Sequence, residues 1–335
     1  MLSGIPQGSV LGPLLFVLFI NDLPEAISES DMFLFADDLK LFKGIFKMED
    51  CHKLQQDLEQ VHEWTDKSLL RFHPDKCVKM RIGKSEIYKQ DYTLGSSPPI
   101  KLRDSDKEKD IGVVIDSNLS FESHMHEKIN AANSVMGIIR RTFDFLDEST
   151  FLTLYKSLVR PHLEYANQVW APNLQKHVTA LENVQRRATK LVPGLRDLSY
   201  EERLRKVKLP SLAYRRLRGD MIELFKIISG KYDTTVCADM FQFVEGFTRG
   251  HKYKIFKVRS HNSLRQNSFT LRTINTWNAL PSSVIDSQTV MQFEKKLDYC
   301  WADHPLLYDY MARTSVLNPR SWHQRREPIQ PEEDL

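Results

Sequence analysis

The sequence predicts a mixed α+β chain built in several regions, and three observations carry that reading. Short apolar runs broken by Gly, Pro, Ser and Asp turns fill the chain up to about residue 116. From 117 to 230 apolar residues recur every three or four positions, the period of amphipathic helices. Past 231 that period weakens, and aromatic residues interleave with Lys and Arg until about 312. The remainder is polar, contains Pro319, Pro328 and Pro331, and reads as a disordered tail. The expected regions are therefore 1–116, 117–230, 231–312 and 313–335.

In chain order, Leu14 to Ile20 is an unbroken apolar run that reads as a buried helix, with Ser9 as its cap. Met32 to Phe42 is apolar on both sides of two adjacent aspartates, a hairpin with the acids near its turn. Leu54, Leu58 and Val61, with Gln and Glu between them, predict a surface helix. Tyr92 to Leu94 and Ile100 to Leu102 read as short strands around Gly95-Ser96-Ser97-Pro98-Pro99, and Ile111 to Ile115 as one further strand. Met125, Ile129, Ala132, Met136, Ile139 and Phe143 mark one face of a long helix. Leu152, Tyr155 and Leu158 begin a second, which Pro161 is expected to stop or kink. Val178 to Leu191 gives a third, ending before Pro193-Gly194, and Tyr214 to Ile228 a fourth, ending at Gly230. Phe293 and Leu297 suggest a short helix near the end.

Composition excludes several classes. At 41% hydrophobic and 27% charged the chain has material for a sizeable core. Its longest apolar run falls far short of the roughly 20 residues that cross a bilayer. That run also lacks the flanks of a signal peptide, so an intracellular chain without membrane contact is expected. Cys51, Cys77, Cys237 and Cys300 form no CxxC pair and read as reduced thiols. Cys300 and His304 supply only two of the four ligands a structural zinc needs, so no zinc site is expected. The net charge of +3 hides an asymmetry. Residues 1–60 carry ten acidic and four basic side chains, whereas 176–226 carry thirteen basic and six acidic. Residues 247–272 carry seven basic side chains and no acidic one. An acidic head and a basic body suit cation binding at one end and a polyanion along the other. Solvated helix faces are the plainer account of the basic stretches.

Two blocks hold the candidate chemistry. Gly4-Ile5-Pro6-Gln7-Gly8-Ser9 precedes the apolar helix, and such a loop lets backbone approach a ligand closely while helix-start N–H groups favour phosphate. Phe35-Ala36-Asp37-Asp38 sets two carboxylates side by side, hard oxygen donors of the kind Mg²⁺ prefers. Taken singly, the first block fits an ordinary turn and the second an exposed acidic one.

Together, about thirty residues apart and in this order, they resemble motifs B and C of reverse transcriptases, in the wording of non-LTR, LINE-type retrotransposons of the jockey and CR1 sort. Phe19-Ile20-Asn21-Asp22-Leu23-Pro24 between them also matches. Leu70-Arg71-Phe72-His73-Pro74-Asp75-Lys76-Cys77 resembles motif D, and Lys109-Asp110-Ile111-Gly112-Val113 the motif E strand, the primer grip. The resemblance continues through Leu154 to Pro161 and the Trp277 segment, covering residues 2 to about 300. Phe35 stands where many reverse transcriptases have Tyr, and His73 where Asn is common.

The resemblance implies a partial palm over 1–116 followed by a helical thumb over 117–230. It implies an RNA-directed DNA polymerase whose complete form uses two Mg²⁺ ions, about 3.5–4 Å apart, for nucleotidyl transfer. The partners implied are an RNA template, a DNA primer and deoxynucleoside triphosphates. Asp37 and Asp38 would be the catalytic and metal-binding carboxylates, with Asp38 peripheral. Gln7 and Gly8 would line the nucleotide and template side, and Lys76 would contact the leaving pyrophosphate. Arg186, Arg187 and Lys190 are the candidate nucleic-acid contacts of the thumb.

One departure from the family bears on activity. The family's motif A aspartate lies upstream of motif B, whereas here the resemblance begins at the second residue, so Met1 reads as an internal methionine or a gene-model start. These 335 residues alone are then expected to be inactive, with an uncovered hairpin and a loosely held palm half. The competing expectation is a non-catalytic nucleic-acid-binding remnant or domesticated module; a structural partner protein with idle basic faces is a third.

Overall fold

The computed structural model describes residues 8–83, 90–95, 98–244 and 251–312. Gln7 and the tail 313–335 therefore lie outside the described residues, as do Ser96 and Ser97 of the expected turn. The chain is α+β and divides into two compact units, residues 1–119 and 120–335.

In the first unit, α1 (Leu11–Ile20) starts where Ser9 Oγ accepts from Gly12 N at 3.0 Å, the capping bond the sequence suggests. Helix α1 is apolar on every side, yet only Ile20 is buried, and Leu14, Leu18 and Phe19 are exposed. Strands β1 (Asp31–Phe35) and β2 (Asp38–Phe42) pair antiparallel, with Asp31 opposite Phe42 and Phe35 opposite Asp38. Among the described residues they form a sheet of two strands only, and Phe33, Phe35 and Phe42 stay exposed. Helix α2 (Met48–Lys67) follows and buries Cys51, Asp57, Val61 and Thr65 along one side. The unit's small core joins Cys51 to Tyr92, Leu94 and Leu102, with Leu54, Leu58 and Phe72 packed around them.

Short strands complete the unit. β3 (Val78–Lys79) pairs in parallel with a later strand; β4 (Thr93–Leu94) and β5 (Ile100–Lys101) pair antiparallel; β6 (Arg103–Asp104) is the partner of β3. β7 (Lys107–Asp110) and β8 (Val113–Asp116) form a second hairpin. Here the sequence reading needs correction: Ile111 to Ile115 is not one strand. Ile111 and Gly112 are the two-residue turn, with φ of 41° and 79°. Two successive left-handed residues give the turn whose twist matches its flanking strands, and Gly112 adopts that conformation without steric cost.

The second unit is helical at its start. α3 (Glu122–Thr142) follows the predicted stripe, burying Met125, Ala132, Met136 and Ile139. α4 (Glu148–Leu154) begins at Asp147, whose carboxylate accepts from Thr150 N at 2.8 Å. Pro161 does not end this segment. A wide helical turn, Tyr155–Val159, leads directly into α5 (Arg160–Glu164), where the proline sits in the first turn and its missing N–H is not needed. α6 (Asn167–Trp170), α7 (Gln175–Ala188), α8 (Tyr200–Lys206) and α9 (Leu212–Ile228) follow.

A buried polar chain links three of these helices to the wide turn. Tyr155 OH donates to Gln185 Oε1 at 2.7 Å, and Gln185 Nε2 donates to Tyr200 OH at 3.1 Å. Tyr200 OH donates to Glu182 Oε1 at 2.6 Å, and Glu182 accepts from Leu212 N at 3.1 Å, capping α9. Burial pushes the Glu182 carboxyl up, opposed by the Tyr200 hydrogen bond and by Arg216.

Residues 231–312 share a core with α9. They add α10 (Thr234–Cys237), α11 (Ser263–Asn267), α12 (Phe269–Arg272), α13 (Ile274–Asn278), α14 (Ser282–Ile285) and α15 (Val290–Cys300). Met221, Leu224 and Phe225 of α9 pack with Trp277, Phe293, Leu297 and Trp301 in one cluster, so the expected boundary at 230 runs beside a continuous core. Phe225 and Phe293 stack at 4.3 Å between ring centroids.

Two histidines buried in this unit make its stability pH-dependent. Burial pushes His124 and His304 down from 6.5 to about 4. With folded values depressed, the unfolded chain takes up protons first as pH falls. The stability they contribute is complete above about 6.5 and is lost as pH falls toward about 4. The urea midpoint of this unit should fall through that window, and His304→Gln should flatten part of the slope. An identical slope in the variant contradicts the assignment.

Candidate functional site

The two aspartates sit where the hairpin reverses. Ala36 and Asp37 form the two-residue turn, Ala36 in the left-handed region at φ 51°, and Asp38 is the first residue of β2. Both carboxylates are exposed, and among the described contacts neither accepts a hydrogen bond or forms an ion pair. Among the described residues no group of three or more His, Cys, Asp or Glu side chains is placed to hold a metal ion. What the structure presents is a pair of hard oxygen donors at a protein edge. They are the right chemistry for Mg²⁺ and fewer than a closed site requires.

The first foot of the hairpin is tied to α2 and the second foot to the first, contacts that no local sequence pattern announces. Asp57, fully buried on α2, accepts from the backbone N–H groups of Ser28 and Glu29 at 3.4 Å each, just before β1. Glu29 meets Lys53 of α2 at 2.8 Å, and the Lys43 ammonium, just after β2, donates to the Glu29 carbonyl. The Lys53 ammonium is the main cause holding the Glu29 carboxyl below its ordinary value. Lys40 of β2 forms an ion pair with Asp110 of β7, so the two hairpins of this unit are also joined. An Asp in a helix otherwise patterned with Leu and Gln was the only sequence signal for the Asp57 contact.

The other predicted residues are less gathered. Gly8 takes φ +84°, which favours glycine, and a side chain there would meet open space. Lys76 is exposed at the end of a short 3₁₀ turn, Pro74–Lys76, and among the described contacts nothing joins it to the aspartates.

The basic trio separates. Arg186 turns inward: its guanidinium lies 5.1 Å from the Tyr200 ring centroid and 5.8 Å from that of Tyr310. Arg187 and Lys190 are exposed, Arg187 donating to Asn133 of α3 at 2.9 Å. Arg186 is thus a packing residue, because its flat cation fits between two aromatic faces. Many of the remaining cations of 176–226 are matched internally. Lys176 pairs with Glu122, Arg205 with Glu201, Lys206 with Glu148, Arg215 with Glu164, Arg218 with Asp298 and Lys226 with Glu223. Arg203 is buried and donates to Thr189 Oγ1 at 2.9 Å and the Leu198 carbonyl at 2.6 Å. The outward cations are Arg187, Lys190, Arg196 and Lys208, beside Arg140 and Arg141 at the end of α3.

Residues 2–121 match the family model for reverse transcriptase (RNA-dependent DNA polymerase), nearly the whole of the first unit. Over this stretch the chain is similar to the reverse transcriptase family. The chain is 24% identical over 207 residues to a probable RNA-directed DNA polymerase from transposon X-element of Drosophila melanogaster, covering 57% of this chain and 22% of that protein. It is 26% identical over 203 residues to the RNA-directed DNA polymerase from mobile element jockey of Drosophila funebris, with the same coverage. The likeness is to polymerases of non-LTR retrotransposons, and the chain spans about a fifth, 22%, of the length of these curated relatives. No solved structure matches the chain. No helix among the described residues is long and apolar enough to cross a membrane.

The Asp57 anchor generates a test. Asp57→Ala removes the charged acceptor of two part-buried N–H groups, and hydrogen bonds to a charged group contribute about 1.5–3 kcal/mol. Amide exchange at Ser28, Glu29 and through the hairpin should quicken about tenfold or more, while exchange in α7 and α9 stays as it was. Equal acceleration in both units would show that Asp57 supports general stability rather than the hairpin.

Proposed function

We propose that these residues supply the metal-binding hairpin and part of the nucleic-acid grip of an RNA-directed DNA polymerase, a partial palm followed by a helical thumb. The observation that supports it most is the Asp37-Asp38 turn within the stretch that matches the family. In this reading Asp37 and Asp38 hold Mg²⁺, which when bound activates the primer hydroxyl and neutralises charge on the transferred phosphoryl group. The contacts of Ser28 and Glu29 with α2 anchor the base of the hairpin that presents both carboxylates. Gly8 offers close backbone approach, and Gln7 and Lys76 serve the nucleotide and the leaving pyrophosphate. A further carboxylate, contributed by a segment preceding motif B, completes the ligand set. The RNA template and DNA primer are held through phosphates by outward cations, a contact indifferent to sequence.

A second reading, nucleic-acid binding without polymerisation, draws on the two-carboxylate set found among the described residues. One comparison separates the two. The longest polypeptide translated from this gene is given a DNA primer annealed to RNA, deoxynucleoside triphosphates and Mg²⁺. Extension should occur, and Asp37→Ala should lower it by about a thousandfold, the scale on which removing one electrostatic catalytic group acts. The 335 residues alone should bind the same primer–template without extending it. Arg187→Gln with Lys190→Gln should weaken that binding and reduce its salt dependence. Binding without extension by the longest polypeptide favours the second reading. Extension that survives Asp37→Ala removes the hairpin from catalysis.

A further inference from the structure

The carboxylate hairpin and the outward face of α7 leave one built feature of the second unit unexplained. Residues 251–259 carry no helix: Lys252 and Tyr253 form a turn, Ile255 makes a β-bridge, and the contacts that hold the segment are specific. Ile255 is buried, and Asn278 grips its backbone from both sides: Oδ1 accepts from Ile255 N at 2.9 Å, and Nδ2 donates to Ile255 O at 2.8 Å. Trp277 Nε1 donates to the Tyr253 carbonyl at 2.8 Å, while His251 Nε2 is 3.1 Å from the Trp277 carbonyl. On the other edge, Val244 N donates to Lys254 O at 2.9 Å and Phe256 N to Gln242 O at 2.7 Å. The result is a short antiparallel ribbon, with Phe243 paired to Ile255, fastened to a fully buried Trp277.

Such a fastening would suit a segment covering the core, yet most of its side chains face water. Phe243 is 47%, Tyr253 38%, Phe256 54% and Val258 50% exposed. Lys252, Lys257 and Arg259 lie between and beside them, also exposed, and no acidic residue occurs from 247 to 272. The Lys252 ammonium stands 5.0 Å from the Tyr253 ring centroid, and Phe243 meets that ring edge-on at 6.4 Å. Asp286 lines the cleft beside Lys252 and Tyr253, whereas Lys257 and Arg259 have no acid among the described contacts. A pinned backbone, exposed rings and interleaved cations are what a strand of unpaired bases requires. Rings offer stacking faces and cations follow the phosphates. A duplex hides its bases' faces and has no use for the rings.

We infer that the ribbon 242–244 and 251–259 is a binding platform for single-stranded nucleic acid, with Phe256 and Tyr253 as stacking residues and Lys257 and Arg259 as phosphate contacts. This site is separate from the duplex contacts proposed for Arg187 and Lys190, and it rests on the nucleic-acid reading only for the class of partner. An anionic membrane surface would also attract cations beside aromatics. The single strand is favoured because the segment is pinned at its backbone around Ile255 and is not an amphipathic helix that can lie in a bilayer interface.

The test uses the 335-residue chain with a fluorescent uridine 20-mer, the same sequence as a duplex, and vesicles containing phosphatidylserine. Phe256→Ala should weaken single-strand binding about tenfold, as expected for losing one stacked base, with duplex affinity changed less than about twofold. Phe256→Trp should restore it, and Phe256→Leu, which keeps apolar area without a ring, should not. Lys257→Gln with Arg259→Gln should lower the single-strand salt slope by about 1.4, or about 0.7 for each phosphate that is no longer neutralised. In contrast, Arg187→Gln with Lys190→Gln should act on the duplex. Circular dichroism and the melting midpoint should match wild type, since Phe256 is exposed. The proposal is overturned if single-strand affinity is indifferent to both Phe256→Ala and Tyr253→Ala. It is equally overturned if Phe256→Ala weakens single strand and duplex alike, or if vesicles bind the platform and the 20-mer does not displace them.

Discussion

A buried helix that carries charge must be neutralised from its surroundings, and α9 imposes that constraint on the second unit. Its sequence places Arg215, Arg216, Arg218, Asp220, Glu223 and Lys226 among residues that fill the core. Unpaired charge in such a place is costly, so Arg215, Arg218 and Asp220 are met from other elements, while Glu223 and Lys226 pair within the helix. Glu164 of α5 receives Arg215, and Asp298 of α15 takes Arg218 in a two-pronged contact at 2.6 and 2.8 Å. Asp220 is gripped by Arg272 of α12, both bonds at 2.9 Å, with Asn167 of α6 donating at 3.3 Å. Glu182 of α7 caps the helix start. Elements from 160 to 300 are thereby fixed around one axis, and residues 231–312 form one body with the helices before them.

That pairing also decides which cations are left for a ligand. The basic balance of 176–226 suggests a wide positive surface, but much of it is spent on internal contacts. Arg186 is the clearest case, since its guanidinium lies against Tyr200 and Tyr310. The outward remainder is smaller and more localised: Arg187, Lys190, Arg196 and Lys208, and separately the ribbon around Phe256. In the first unit the opposite pattern holds, because Asp37 and Asp38 stay exposed while their supports, Asp57 and Glu29, are engaged. Supports are paired and the candidate groups are left open in both units.

Much of this was legible in the residues. The helices of α3, α7 and α9, the Asp37-Asp38 hairpin and the Ser9 cap follow from period, turn chemistry and hydrogen-bonding capacity, all local properties. The family too was legible, because two short blocks in a fixed order carry more information than either alone. What escaped was non-local. Nothing near Arg186 in sequence announces Tyr310, and nothing near Ser28 announces Asp57. Pro161 is expected to stop or kink the helix because a proline's missing N–H is a local fact; the wide turn Tyr155–Val159 that carries the helix past it has no local signal. Ile111 was read as strand because it is β-branched and apolar, whereas the twist of a two-residue turn overrides that preference. The exposed rings of 251–259 were visible only as composition, since exposure depends on which side Trp277 and Asn278 hold.

On the proposed reading, nucleic acid is met by cations that face outward without an acidic partner and not by the bulk of the basic sequence. Lysine acetylation read by mass spectrometry, with and without a primer–template bearing a single-stranded RNA overhang, addresses it directly. Lys190, Lys252 and Lys257 should be protected on binding, while Lys206 and Lys226, already paired with Glu148 and Glu223, should react equally in both states. Protection of Lys206 and Lys226 to the same degree, or reactivity of Lys190 and Lys257 unchanged by bound RNA, would contradict it.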